Sequence, residues 1–149
     1  MESIWSKTCE IRKREPLWED IETEAVVIGG GMAGILIAYQ LKQAGVHAVL
    51  LEAERIGGGQ TKNTTAKITS QHGMFCKTFI EKKGRETASR YVQANQKAVE
   101  EYKRVIQKEK IDCDFEETNS YVYSQHADKL KQEAEAASDL GIRADYVKE

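Results

Sequence analysis

The chain has 149 residues, the length of one ordinary domain, and its 40% hydrophobic and 31% charged residues exclude wholesale disorder. Twenty-two basic and 24 acidic residues leave a net charge of −2 with the two signs interspersed, so no basic tract invites nucleic acid. The first twenty residues carry Glu2, Lys7, Glu10, Arg12, Lys13, Arg14 and Glu15 and offer no apolar core for a signal peptide, and no apolar run approaches the roughly 20 residues of a membrane helix. A soluble, cytoplasmic protein without a membrane span is expected. Cys9, Cys76 and Cys113 are odd in number and far apart, which fits reduced thiols better than a disulfide framework or a metal site.

Residues 1–23 form a mixed, charged leader in which Trp5, Pro16, Leu17 and Trp18 stand out. Two tryptophans in so polar a segment read as anchors against the body of the protein, the alternative being a frayed tail. The strongest signal follows. Ala25 to Ile28 is a short apolar, β-branched run suited to a strand buried on both faces of a parallel sheet. Gly29, Gly31 and Gly34 then stand in G-x-G-x-x-G spacing and open an apolar helical segment that closes at Gly45. In this arrangement Gly29 allows the turn out of the strand, Gly31 removes the Cβ that would bar a pyrophosphate from the backbone, and Gly34 lets helix and sheet approach closely. Val46 to Leu51 reads as a second strand ending at Glu52, whose carboxylate suits the two ribose hydroxyls of an adenosine and would repel a 2′-phosphate. Strand, glycines, helix, strand and acidic end, in that order, predict a dinucleotide site.

After Glu52 the composition changes. Ala53 to Gly73 holds three consecutive glycines and four threonines with little periodicity, and so reads as a long loop of the kind that is more often functional than idle. From Met74 the pattern is helical. A short helix over Cys76 to Lys83 is followed, after Gly84, by a long amphipathic one on which Ala88, Tyr91, Val92, Asn95, Ala98, Val99, Tyr102, Val105 and Ile106 share a face. Phe115 to Glu117 and Ser120 to Ser124 alternate like short strands. Leu130, Ala134, Ala137 and Leu140 give a last helix from about Asp128 to Gly141, and Ile142 to Val147 begins another extended segment. A doubly wound sheet needs more parallel strands than the two convincing ones here, so the chain reads as the N-terminal portion of a longer protein or a truncated relative of one.

The fingerprint alone does not separate NAD from FAD. The Gly/Thr/Asn loop and helical insertion that replace an immediate third crossover tilt the reading toward FAD. Val26 to Lys67 resembles the start of the FAD-dependent oxidoreductases of the D-amino-acid oxidase, glycine oxidase and sarcosine oxidase type. The leader, Ser3 to Pro16, is similar to that of a bacterial branch in which some members carry a C-terminal Rieske iron–sulfur domain. The resemblance implies an α/β fold: a Rossmann-like FAD-binding βαβ unit with a long helical insertion over residues 24–111, and the start of an α+β substrate domain over 112–149. It also implies that Gly29, Gly31, Met32, Ala33 and Gly34 face the pyrophosphate, Glu52 and Ala53 the adenosine, and Gly59, Gln60, Thr61, Thr65, Ala66 and Lys67 the ribityl or flavin side.

The implied activity is oxidation of a small-molecule amine or amino acid by hydride transfer to FAD, with a downstream Rieske domain or another electron acceptor as partner; the alternative is a noncatalytic dinucleotide-binding module or an inactive truncated product. Lys62 and Asn63 stand where some relatives have the Trp-His pair that binds flavin covalently, so noncovalent FAD is expected. No Rieske ligand set is present, and no catalytic residue can be nominated. Several residues carry two readings. Lys67 is a cation near the flavin or a solvated loop lysine; His72 is a proton carrier or a surface histidine. Thr61, Thr64, Thr65 and Thr69 are cofactor hydrogen-bonders or ordinary turn formers, and Gly57 to Gly59 admit a cofactor or merely bend the chain. Cys76 is a mildly activated thiol or a buried small hydrophobe, and Tyr121 and Tyr123 are a substrate clamp or sheet packing.

Overall fold

The computed structural model describes residues 3–148, which form two compact units meeting in sequence at Ala66 and Lys67. In the first unit a five-residue helix α1 (Ile4–Thr8) precedes an irregular stretch, then strand β1 (Ala25–Ile28), helix α2 (Met32–Gln43), strand β2 (Ala48–Leu51) and a 3-10 turn over Gln60–Asn63. β1 and β2 pair in parallel with Ala25 opposite Ala48 and Ile28 opposite Leu51. A parallel pair needs a crossover, and α2 supplies it. The ladder is fastened at its entry, where Glu24 Oε2 accepts the His47 N–H at 2.7 Å and the Thr23 hydroxyl donates to the His47 carbonyl at 2.8 Å. At its exit the Gly29 N–H donates to the Leu51 carbonyl at 2.8 Å. The expectation that β1 is buried on both faces requires correction: Val27 is buried, but Val26 is 53% and Ile28 87% exposed, because among the described residues one small parallel pair with its crossover helix makes up the sheet layer of this α/β unit.

In the second unit α3 (Cys76–Lys83) and α4 (Arg85–Glu109) are joined by Gly84, and α5 (Ala127–Asp139) packs on α3. Cys76, Ala88, Val92, Ala137 and Leu140 form its core, flanked by Phe75, Phe79 and Ile80. The helical periodicity of the sequence thus maps onto helices with nearly the expected bounds.

The strands expected over Phe115–Glu117 and Ser120–Ser124, and the extended start at Ile142–Val147, require correction. None pairs into a sheet among the described residues, whose one sheet is the β1–β2 pair. The alternation that suggested them is present in the burial. Val122 and Ser124 are half-buried while Tyr121 and Tyr123 are exposed, and Ile142, Ala144 and Tyr146 alternate with exposed neighbours. A period of two selects a face, but a strand also needs a neighbour's amides and carbonyls. Lys103 on α4 holds the first of these stretches through a 2.5 Å ion pair with Glu117, which raises the lysine's pKa.

Candidate functional site

Two different constraints build the glycine turn between β1 and α2. Gly29 sits at φ +102, a conformation L side chains rarely adopt. A Cβ on Gly34, in the first turn of α2, would lie 1.9 Å from the Gly29 carbonyl oxygen, so the helix can approach the turn only without one. Gly31, which caps α2, obeys neither constraint. Its φ of −78 and ψ of −177 are open to any residue, and a Cβ there would touch Thr61 Oγ1 at an ordinary 3.4 Å. What a glycine at 31 leaves is bare backbone beside a helix end.

Glu52 closes the same turn from the tip of β2. Its Oε2 accepts the Gly30 N–H at 2.6 Å and its Oε1 accepts the Glu54 N–H at 3.0 Å. These amides, Glu54 first and Gly30 next, hold the carboxyl below its usual pKa, with smaller help from the Ala53 and Arg55 amides and against a modest desolvation. Gly30 is the residue the G-x-G-x-x-G spacing passes over. It is buried, its carbonyl accepts the Gly57 N–H at 2.8 Å, and a Cβ on it would come within 3.1 Å of both Glu52 Cβ and Ile56 Cγ1. The triple glycine Gly29-Gly30-Gly31 was the available signal: the spacing explains its first and third members only.

Of the loop residues, Thr61 reaches the helix, its Oγ1 accepting the Met32 N–H at 3.0 Å. Ala53, Gly59, Gln60, Thr65 and Ala66 are exposed, as is Ala33, and Lys67 begins the second unit. Turn chemistry accounts for Thr64, which donates to the Thr61 carbonyl, and for Thr69, which accepts from Gln71. Gly57 and Gly58 bend the chain, with their N–H groups on the Gly30 and Arg55 carbonyls. In the second unit Cys76 is fully buried, and desolvation, reinforced by the adjacent Glu133 carboxylate, pushes its thiol up to about 12, which suits a packing role. The His72 ring packs near Phe75 and Tyr91 with Nε2 3.4 Å from Asn95 Oδ1, while Tyr121 and Tyr123 stand in solvent.

The first unit therefore brings together the amide end of a twelve-residue helix, bare backbone at its cap, and a carboxylate fixed two hydrogen bonds deep in the turn. The first amides of a helix lack intrahelical acceptors and carry a partial positive charge, which favours an anion. A carboxylate offers about four acceptor positions, and the two amides leave others for hydroxyl donors. Such a combination can accept a phosphate at the helix end and a diol at the acid.

Comparison with known proteins points the same way. The family profile described as FAD dependent oxidoreductase matches residues 24–149. YhfW of Bacillus subtilis (strain 168), named for a Rieske 2Fe-2S iron-sulfur protein, is 36% identical over 99% of this chain and 30% of its own length. Gamma-glutamylputrescine oxidoreductase of Escherichia coli is 29% identical over 68% of the chain and 24% of its own length. For 4-methylaminobutanoate oxidase (formaldehyde-forming) of Paenarthrobacter nicotinovorans the figures are 27%, 91% and 15%. The chain thus spans less than a third of the length of these relatives. No solved structure matches it, and among the described residues no helix is long and apolar enough to cross a membrane.

Proposed function

The chain belongs to the family of FAD dependent oxidoreductases, and from that premise we propose that its first unit is a Rossmann-like half that binds FAD noncovalently in an enzyme oxidising the C–N bond of an amine or amino acid. The observation that carries the reading is Gly31. Neither its backbone angles nor its neighbours demand glycine, and a side chain there would fill the space at the end of α2 where a diphosphate would lie. The names of two relatives support an amine substrate class, since both contain an amine-bearing compound.

In this proposal Gly29, Gly31, Met32, Ala33 and Gly34 present the turn and the helix end to the pyrophosphate. Glu52, already oriented by Gly30 and Glu54, accepts from the adenosine ribose, with Ala53 beside it. Gly59, Gln60, Thr61, Thr65 and Ala66 line the ribityl and flavin side. When bound, FAD supplies the hydride acceptor, and the protein supplies orientation and exclusion of water. Residues 24–111 form the cofactor region and 112–149 begin the substrate domain, with substrate-binding groups in the part of the relatives that this chain does not cover. The Rieske name of one relative supports an iron–sulfur partner for the electrons.

An absorption spectrum of the purified protein tests the proposal. Bound oxidised flavin that acid precipitation releases into the supernatant is the expected result. A colourless protein stabilised on heating by NAD would replace it with a noncatalytic dinucleotide module, and the absence of both effects would remove the cofactor function altogether.

A further inference from the structure

We infer that the leader is a strap across the loop that follows β2, with Ser3 and Trp5 as positioning residues for that loop. Helix α1 has five residues and no buried one, far short of the roughly 12–15 at which an isolated helix becomes even marginally stable. Its place is set by what it grips. The Trp5 indole Nε1–H donates to the Thr64 carbonyl at 2.8 Å. The Ser3 hydroxyl donates to the Lys62 carbonyl and accepts the Trp5 N–H at 3.3 Å, so one oxygen caps α1 and ties it down. Further along, Arg55 Nη2 donates to the Ile11 carbonyl at 3.2 Å, and the Ile11 side chain ends 3.2 Å from where a Cβ on Gly57 would lie.

The loop is therefore held near both ends, at Arg55 and Gly57 by Ile11, and at Lys62 and Thr64 by Ser3 and Trp5. Between these grips lies Thr61, whose hydroxyl meets the Met32 amide at the start of α2. An indole N–H is a donor of fixed direction, so Trp5 sets where the Thr64 carbonyl, and with it the 3-10 turn, comes to rest. Trp18 takes no part in this grip and is 85% exposed, against 39% for Trp5.

That the strapped loop lines the flavin side of FAD rests on the function proposed above; the grip itself does not. Trp5→Phe keeps an aromatic ring and removes the N–H, and Ser3→Ala removes the second tether. Both are compared with the parent in the full chain by titration with FAD and with adenosine diphosphate, and by the rate of trypsin cleavage after Lys62. The expected result is that Trp5→Phe weakens FAD roughly three- to tenfold, the worth of one hydrogen bond, while adenosine diphosphate, which lacks the flavin half, changes less than about twofold. Cleavage after Lys62 should be faster in both variants. Cleavage at the parent rate in both overturns the strap, whatever the nucleotides do. A loss shared equally by FAD and adenosine diphosphate, or no loss, overturns the positioning role. A parent that binds neither nucleotide defeats the proposed function and the positioning role that rests on it, and the Lys62 cleavage rates then decide the strap alone.

Discussion

Replacing Gly34 and Gly31 by alanine, one at a time, separates packing from binding within one turn. At Gly34 a Cβ would lie 1.9 Å from the Gly29 carbonyl oxygen and 3.1 Å from its carbon. Reaching ordinary contact near 3.4 Å requires α2 and the turn to part by about 1.5 Å. Neither obstacle is a side-chain tip that can swing aside, and the turn is tied to β2 through the Gly29 to Leu51 hydrogen bond. Overpacking of this kind costs about 1–3 kcal/mol, with backbone obstacles at the upper end, and the better helix propensity of alanine returns up to about 1 kcal/mol. Gly34→Ala should therefore lose about 2 kcal/mol in urea unfolding followed by circular dichroism. At Gly31 the added methyl group meets one atom at 3.4 Å in a backbone conformation that alanine adopts freely. The weaker helix cap costs up to about 1 kcal/mol and the stiffer unfolded chain returns about 0.4–1 kcal/mol, so stability should stay within about 0.5 kcal/mol of the parent. The methyl group would nevertheless stand between the helix end and a diphosphate, and FAD affinity, read by quenching of flavin fluorescence, should fall roughly tenfold to a hundredfold. Parent affinity in Gly31→Ala would refute the phosphate assignment, and parent stability in Gly34→Ala would refute the packing argument.

Glu52 has a lowered pKa in the folded chain, so its contribution to stability is present above the ordinary carboxylate range and is lost as pH falls through the lowered value. Urea midpoints measured against pH should fall more steeply for the parent than for Glu52→Gln in that acid window; parallel curves would show that the carboxylate does not brace the turn. Glu133, buried on α5, accepts the Cys76 N–H at 2.6 Å and the Lys77 N–H at 3.1 Å and so caps α3 from another helix. Glu133→Ala strands both amides and should cost about 2–3 kcal/mol in the same unfolding assay, and a loss under about 0.5 kcal/mol would reject the capping role. A thiol reagent near neutral pH should label two cysteines quickly, Cys9 and Cys113, and Cys76 only after denaturation, because that thiol is buried and raised to about 12. Three fast equivalents would contradict its burial.

The parts of this molecule that were legible in its sequence are those written in local period. β1, the glycine turn, α2 and β2 follow from an apolar run, three spaced glycines and an acidic stop. The three helices of the second unit follow from steps of three and four and from Gly84. What escaped was decided at long range. Nothing local marks Gly30 as the amide that seizes a carboxylate 22 residues away, or Glu133 as the cap of a helix 57 residues earlier. Trp5 and Trp18 are equivalent as composition, yet one meets the Thr64 carbonyl and the other meets solvent. The alternating stretch around Tyr121 failed as a strand for a related reason: its period is local, but its ladder partner must come from elsewhere.

One long-range contact changes how the site must be probed. Because Gly30 and Glu54 already hold the Glu52 carboxylate, its rotamer is set by the chain itself, and an incoming diol need not order it. The same bonds mean that Glu52→Ala removes a brace of the turn together with the proposed ligand contact. A fall in nucleotide affinity after that substitution would combine the lost ribose hydrogen bonds with a displaced Gly30 amide, and through the Gly30 carbonyl it would also disturb Gly57. The two effects part when adenosine and inorganic diphosphate are titrated separately. A carboxylate that only grips the sugar leaves the affinity for diphosphate unchanged when it is removed. One that also shapes the turn weakens both ligands, because the amides at the end of α2 then no longer stand where the phosphates would meet them.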